Sequence, residues 1–334
     1  MPIIAEMKAI KGIFRSIPLC FAALLAVVSC GRKADYQELT GYAQGGTYSV
    51  KFNHSGVKTG ISEIRRSVDS ILTLVDTTLS GYNKGSQLSR FNACVPVVPN
   101  EMFREIFTIS KRLYDAWGFG FTSDSLPSAA VVDSLKAVCG MDKFDGNMSP
   151  LIPGICPKLN FNAIAQGYTC DKIAEYLHSL GVRDMLVNIG EIYSEGLNPS
   201  GKPWTIGVDR PEDGNMELGG KGLVGIWRGD GSGRGVVTSG NYRKFYVKDG
   251  RKYSHTIDPR TGYPVNHTLL SATIVAPDAT LADAYATYCM VIGLDEAKIF
   301  IESSDGLEGY LVYADGDSMS EWASSGFNLV RDSR

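Results

Sequence analysis

The stretch ATLADAYATYCMVIGL, Ala279 to Leu294, is built from small and apolar residues at helical spacing, yet it carries Asp283 and Thr287 four positions apart. Residues four apart stack on one helix face, so a carboxylate and a hydroxyl there can both reach one hard cation such as Mg²⁺, which takes oxygen ligands. A structural reading stands beside it. Thr280 followed three residues later by an acid is a capping box, with Thr280 as N-cap and Asp283 at N3. In SHTIDPRTGYP (254–264), His255 lies at a strand end before a turn forced by Pro259, Gly262 and Pro264. That is a good place for a general base, although a lone histidine is often only a satisfied polar group. Thr238 and Ser239 precede Gly240 in VVTSGNYRKF, where small hydroxyls sit on backbone that a ligand can approach closely, or that merely turns. In LNFNAIAQGYTCDKIAEYL (159–177) a glycine opens a helix, whose free N–H groups suit phosphate; Gly167 could equally serve packing alone.

Elements must position these groups. YSVKFN (48–53) predicts a strand, and ISEIRRSVDSILTLVDTTLS puts Ile61, Ile64, Val68, Ile71, Leu72 and Val75 on one helical face. GYNKGSQLSRFN is a turn-rich loop running into a short helix, and EMFREIFTISKRLYDAW is an amphipathic helix. A further helix spans about Ala165 to Leu180 with Gly181 to end it, followed by strands at MLVNIG and WTIGVD. KFYVKDGRKYSHTI is a hairpin around Asp249-Gly250. Strands and helices mix without a βαβ rhythm, which points to an α+β fold with no internal domain boundary.

A chain of 334 residues with 44% hydrophobic and 21% charged residues has ample material for a core. Its net charge of −3, with no basic stripe interleaved with aromatics, argues against nucleic acid as a partner. At the N-terminus Lys8, Lys11 and Arg15 precede the apolar run SIPLCFAALLAVVS, too short to span a bilayer but suited to an export signal. Small residues then lead into Cys30, the pattern of a bacterial lipoprotein whose lipidated cysteine becomes the mature N-terminus; an ordinary signal cleaved nearby is the alternative. The expected organisation is a signal over residues 1–29, a tether over 30–40 and one catalytic domain over 41–334. Beyond Cys20 and Cys30, the cysteines at 94, 139, 156, 170 and 289 show no CxxC or zinc-type spacing, and are expected as small buried hydrophobes.

In this order, AIAQGYTCDKIAEYLHSLGVRDMLVNIGEIYSEG, PWTIGVDRP, VVTSGNYRKFYVKDGRKYSHTIDPRTGYPV and LADAYATYCMVIG resemble the ApbE family of FAD:protein FMN transferases, and SGYNKGSQLSRFN fits the family's first loop. The resemblance runs from about Gly41 to the C-terminus. It implies a T-fold-related α+β domain of mixed sheets with flanking helices. It also implies an Mg²⁺-dependent reaction that attaches FMN from FAD through a phosphoester to a threonine or serine of an acceptor flavoprotein, releasing AMP. Asp283 and Thr287, with the carbonyl of Ala163, match the family's metal ligands. Tyr82, Asn160, Gln166 and Ile257 fall at flavin-nucleotide positions, with Thr238 and Ser239 nearby in sequence order, and His255 matches the proposed base. Family members are commonly lipoproteins facing the periplasm, and their usual acceptors are exported subunits of respiratory redox complexes.

The chain departs from that pattern in several places. Gln44 stands for a methionine, Asn160 for an aspartate, Gln166 for a lysine or acid, and Glu191 for a second glycine. The family's G-x-[FM]-D-x-T-x-x-P-L segment is missing before Trp117-Gly118-Phe119-Gly120, a loss of roughly a dozen residues and more than a loop trim. Two other activities therefore stand beside transfer: Mg²⁺-dependent hydrolysis of FAD to FMN and AMP, and flavin binding without catalysis.

Overall fold

Ile64, Val68, Leu72 and Val75 recur every three or four residues, and all are buried on one face of α1 (Ile61–Leu79). The computed structural model describes residues 34–117, 121–122, 140–211, 222–241, 245–248, 251–254 and 256–331. From Tyr36 onward they fall in one unit, Tyr36–Arg334. The chain enters through β1 (Tyr36–Ala43) and β2 (Gly46–Asn53), then α1, α2 (Gln87–Asn92) and α3 (Glu101–Trp117). A short β3 (Phe121–Thr122) precedes α4 (Ala165–Ser179), β4 (Met185–Asn188), β5 (Ile192–Glu195) and β6 (Thr205–Asp209). Next come β7 (Leu223–Arg228), β8 (Arg234–Gly240), β9 (Phe245–Lys248), β10 (Arg251–Ser254), β11 (Thr256–Ile257) and β12 (Leu269–Ala276). Helices α5 (Ala279–Ile292) and α6 (Leu294–Ser303) lead into β13 (Glu308–Asp315), β14 (Ser318–Ala323) and β15 (Leu329–Val330).

An eight-stranded antiparallel sheet, ordered β1-β2-β4-β5-β8-β12-β13-β14, divides the unit. Side chains alternate along its strands, so each central strand feeds two cores. On β12, Ala272, Ile274 and Ala276 pack under α5 and α6, while Val275 joins Val236, Tyr310 and Val312 against the three-stranded sheet β15-β7-β6. Helices α1 and α4 cover the β1-β2-β4-β5 end through Val68, Leu72, Ile173 and Leu177. A fourth core, built on Phe103, Ile106, Phe161 and Tyr168, joins α3 to the entry of α4. The α+β class expected from sequence is the one observed.

Helix α4 ends as expected. Gly181 takes φ +88°, its N–H meets the His178 carbonyl at 2.9 Å, and Val182 N–H meets that of Leu177 at 3.1 Å. The hairpin arms β9 and β10 pair with Lys248 opposite Arg251, and the expected turn residues Asp249 and Gly250 lie outside the described residues. Strand β1 was not legible in the sequence: it is an edge strand on which only Leu39 is buried, so no alternation marks it. It begins at Tyr36, inside the stretch 30–40 expected as a tether.

The cysteine expectation needs correction. Cys94 and Cys156 form a disulfide across 62 residues, their Cα atoms 6.0 Å apart. No local spacing could disclose it, because packing of α2 and the segment before α4 creates the pair. Cys170 and Cys289 are buried free thiols, as expected, and Cys139 lies outside the described residues.

Close approach of α4 and α5 fixes the centre of the unit. A Cβ on Gly167 would lie 2.1 Å from the Ala279 carbonyl oxygen and 2.9 Å from the Asp283 Cβ, and both obstacles belong to a neighbouring helix. Gly167→Ala is expected to cost about 1–3 kcal/mol or more as the helices are forced apart. Gly146→Ala, where an added Cβ meets nothing within 4 Å, should stay within about 0.5 kcal/mol. Denaturant unfolding of the two variants measures the difference.

Candidate functional site

The α5 N-terminus is held by carboxylates, but not by the expected box. Asp278 is the N-cap and accepts the Leu281 N–H at 2.7 Å. Thr280 instead donates its hydroxyl to Asp171 Oδ2 at 2.5 Å, and the same carboxylate accepts the N–H groups of Ala279 and Thr280 at 2.9 and 2.8 Å. Asp171 projects from α4, so a neighbouring helix supplies the cap that sequence assigned to Thr280 and Asp283. A tertiary cap of this kind leaves no local signature.

Asp283 is thereby released for another task, and it is 5% exposed. Its Oδ2 accepts the N–H of Gly167 at 3.0 Å, within the first turn of α4. That N–H would ordinarily bond the carbonyl four residues earlier, which belongs to Ala163. Among the described residues no hydrogen bond reaches the Ala163 carbonyl. Burial pushes the Asp283 carboxyl up to about 8, the nearby Asp171 charge pushes the same way, and the Gly167 N–H opposes both. Asp171, also buried, is raised to about 6 by desolvation against the pull of its Thr280 and Ala279 donors.

Thr287, one turn further along α5, is buried, and its Oγ1 lies 3.4 Å from the Ser239 hydroxyl on β8. Ser239 shares the helix-facing side of β8 with Val237, which packs under α5. Thr238 is a different case. Alternation turns it to the opposite side, where its Oγ1 sits 2.8 Å from the Thr273 hydroxyl, so the structure does not bring it to Asp283 and Thr287. Ile257 is 1% exposed on β11, which pairs with Phe121–Thr122 and packs on α5. His255 lies outside the described residues, between β10 and β11.

Of the remaining expected residues, Gln166 and Asn160 lie at the entry of α4 and Tyr82 on the turn after α1. Gln166 donates to the Ile189 carbonyl at 3.1 Å and lies against Gly190, where a Cβ would come 2.9 Å from its Nε2. Asn160, exposed, accepts the Asn162 N–H on its own Oδ1 at 2.8 Å. Tyr82 is 71% exposed on the turn after α1, where Ser80 Oγ accepts the N–H groups of Tyr82 and Asn83 at 3.2 and 3.0 Å.

Asp283, Thr287, Ser239 and the Ala163 carbonyl are all oxygen donors, the set a hard cation prefers over softer metals. Among the described residues no three His, Cys, Asp or Glu side chains cluster as a metal site, so a cation here would rest on one carboxylate with hydroxyl and carbonyl oxygens. A separate cavity of about 630 Å³ lies between α3, α4 and the N-terminus of α5, with Arg112, His178 and Asp278 among its walls. It touches the back of the same cap through Asp171 and Thr280, but none of the site residues expected from sequence lines it.

A sequence model described as the ApbE family matches residues 44–311. The chain belongs to the ApbE family. It is 32% identical over 292 residues to a FAD:protein FMN transferase of Escherichia coli K12, covering 80% of this chain and 81% of that one. A FAD:protein FMN transferase of Vibrio cholerae is 29% identical over 333 residues, covering 92% and 97%. Among solved structures, the apo form of the flavinyl transferase ApbE of Pseudomonas stutzeri superimposes with a TM-score of 0.74 at 29% identity, over 87% of this chain and 95% of that one. The flavin transferase ApbE of Vibrio cholerae gives 0.72 at 28%, over 87% and 98%.

Two of the departures from the ApbE pattern can be followed in the structure. Gln44, at φ +51° in the β1-β2 turn, donates to Thr169 Oγ1 at 2.7 Å, and Thr169 donates onward to the Ala165 carbonyl at 2.7 Å. The hairpin tip is thus tied to the first turn of α4. Glu191 contributes its backbone carbonyl, which accepts the Ile189 N–H at 3.0 Å and the Cys170 thiol at 3.1 Å. Neither role needs the residue expected from the family.

Because Asp283 holds its proton longer folded than unfolded, its contribution to stability is greatest below about pH 4 and is lost as pH rises towards 8. In metal-free buffer Asp283→Asn, which keeps the acceptor for Gly167, is expected to remove that loss. It should exceed the parent by about 1 kcal/mol or more at pH 9 and fall below or match it at pH 4. Parallel urea titrations at the two pH values give the difference.

Proposed function

We propose that this chain is an Mg²⁺-dependent FAD:protein FMN transferase. The observation that carries the reading is the diversion of the Gly167 N–H to Asp283, which leaves the Ala163 carbonyl open one helical turn before Gly167. A desolvated carboxylate with a raised pKa, a buried threonine hydroxyl and an open carbonyl make a site in which a divalent cation resolves an otherwise costly buried charge. Relatives of about 30% identity named as FAD:protein FMN transferases support the same reaction.

In this reading Asp283, Thr287 and Ala163 hold Mg²⁺, which when bound neutralises charge on the pyrophosphate and on the departing AMP. The chain supplies the rest. The exposed Tyr82 and Asn160 lie where the nucleotide enters, Gln166 stands at the opening of α4, and Ile257 closes the apolar wall. His255 takes the proton of an acceptor threonine or serine. The acceptor oxygen then bonds to the FMN phosphorus as the phosphoanhydride bond to AMP breaks. Hydrolysis replaces the acceptor hydroxyl with water on the same groups.

Incubation with FAD, Mg²⁺ and an acceptor flavoprotein domain should give in-gel flavin fluorescence with matching AMP. AMP without labelled acceptor would support the pyrophosphatase, and bound FAD with no AMP a binding protein. Asp283→Ala should lower transfer by at least about 100-fold. His255→Ala should lower it by about 10²–10⁴-fold with smaller loss of FAD binding.

Placement completes the proposal. No helix of the described residues is long and apolar enough to cross a membrane, and the N-terminal pattern supports lipidation at Cys30, which would hold the enzyme at a bacterial membrane facing the periplasm beside exported respiratory acceptors. Metabolic labelling with an alkyne palmitate should mark the parent and not Cys30→Ala; equal labelling would exclude this anchor.

A further inference from the structure

The loop that opens α4 carries three of the groups assigned above, and Leu159, Phe161 and Ile164 seat it in the core. Among the described residues, no backbone N–H from Cys156 to Ala163 donates to a backbone carbonyl; the first to do so is Ile164, which meets Phe161 at 3.0 Å. A further anchor comes from α2. Asn92, the last residue of α2, reads both polar groups of Leu159: its Oδ1 accepts the Leu159 N–H at 2.8 Å, and its Nδ2 donates to the Leu159 carbonyl at 2.8 Å. Two residues after Asn92 and three before Leu159, the Cys94–Cys156 disulfide makes the same connection covalently. Cys94 sits at φ +60°, a conformation an L-residue keeps when its surroundings impose it. At its other end α2 is capped by Ser86, which accepts the Ser89 N–H at 2.9 Å and donates to the Ser80 carbonyl at 2.6 Å, fixing the turn that bears Tyr82. One short helix therefore links the Tyr82 turn to the Asn160 loop.

We infer that Asn92 and the Cys94–Cys156 disulfide are positioning elements that hold the Leu159–Gly167 loop in register with the Tyr82 turn, so that reduction of this disulfide by a dithiol weakens FAD binding. The inference rests on the site reading given above. In the redox step the S–S bond takes two electrons and two protons to give two thiols, while the dithiol is oxidised to its own disulfide. Loss of the cross-link leaves the Asn92 pair as the tie from α2 to the Leu159 end of the loop, whose far end stays fastened at Gln166 and Gly167. The loop then samples open arrangements, and apparent affinity falls by the fraction of molecules still in register. Asp283 and Thr287 stand on α5, outside the loop, and Asp283 meets only its last residue, Gly167.

The test uses the purified full-length protein as parent, as Cys94→Ser/Cys156→Ser, as Asn92→Ala, and as Asn92→Asp, which keeps an acceptor for the Leu159 N–H. Hydrogen exchange over residues 157–167, FAD affinity by fluorescence quenching, and KM and kcat for transfer are read on each, and on the parent before and after dithiothreitol. Faster exchange confined to 157–167, with FAD affinity and KM weakened about tenfold, kcat at saturating FAD reduced less, and Asn92→Asp intermediate, is the expected result. Unchanged exchange in the double serine variant would overturn the clasp, and faster exchange with unchanged FAD affinity would overturn its positioning role. A parent that binds no FAD would remove the site reading, while the exchange data would still decide whether the clasp holds the loop.

Discussion

Two carboxylates exchanged between two helices hold the centre of this protein together. Asp171 leaves α4 to satisfy the first N–H groups of α5, and Asp283 leaves α5 to satisfy an N–H in the first turn of α4. Each helix thus closes the other's positive end, where free N–H groups and the helix dipole both favour a negative partner. The exchange requires the backbones to approach until nothing larger than hydrogen fits at Gly167. Asp171 is reached from the α5 side by Thr280 as well, so the contact has a hydroxyl bond of its own as well as backbone bonds. Because Asp283 is the more deeply buried acid, the arrangement sets a carboxyl where water cannot help it ionise, and this is what makes the neighbouring carbonyl and hydroxyl chemically relevant.

Much of the frame was legible because single elements announce themselves. The spacing of Ile64, Val68, Leu72 and Val75 marked α1, and Gly181 marked the end of α4, since both depend only on nearby residues. What failed involved a second element. The box at Thr280 and Asp283 was sound local chemistry, but a carboxylate more than a hundred residues earlier in sequence took the N–H groups instead. Thr238 and Ser239 were inseparable as neighbours in sequence, and only the facing of β8 divides them. The Cys94–Cys156 pair is likewise a product of packing. Asp283 and Thr287 were proposed together from their spacing, and the structure puts them on one buried stretch of α5, with Ser239 as a third oxygen that sequence order alone could not place beside them.

The two glutamine departures show how a polar side chain can exchange chemistry for scaffolding. Gln44 and Gln166 each spend an amide N–H on a neighbouring element, Gln44 reaching Thr169 and Gln166 reaching the strand end at Ile189. Both bonds converge on the first turns of α4. The opening of that helix is therefore held from the β1-β2 hairpin, from the β4 end and, through Gly167, from α5, so its N–H groups keep their direction without depending on a charged residue at position 166.

Helix α5 has a consequence for how such a protein can change over time. Ala279, Ala282, Ala284 and Ala286 are all at 0% exposure, and the helix is walled by α4, α6 and the sheet. Enlargement at these alanines has no room, so Asp283 and Thr287 ride on a helix face that tolerates little change in volume. Tyr82 and Asn160, by contrast, expose their side chains on the surface of a turn and a loop. Divergence among descendants of this scaffold is channelled into those two segments, which can alter what enters the site while the oxygen ligands at its floor stay where they are.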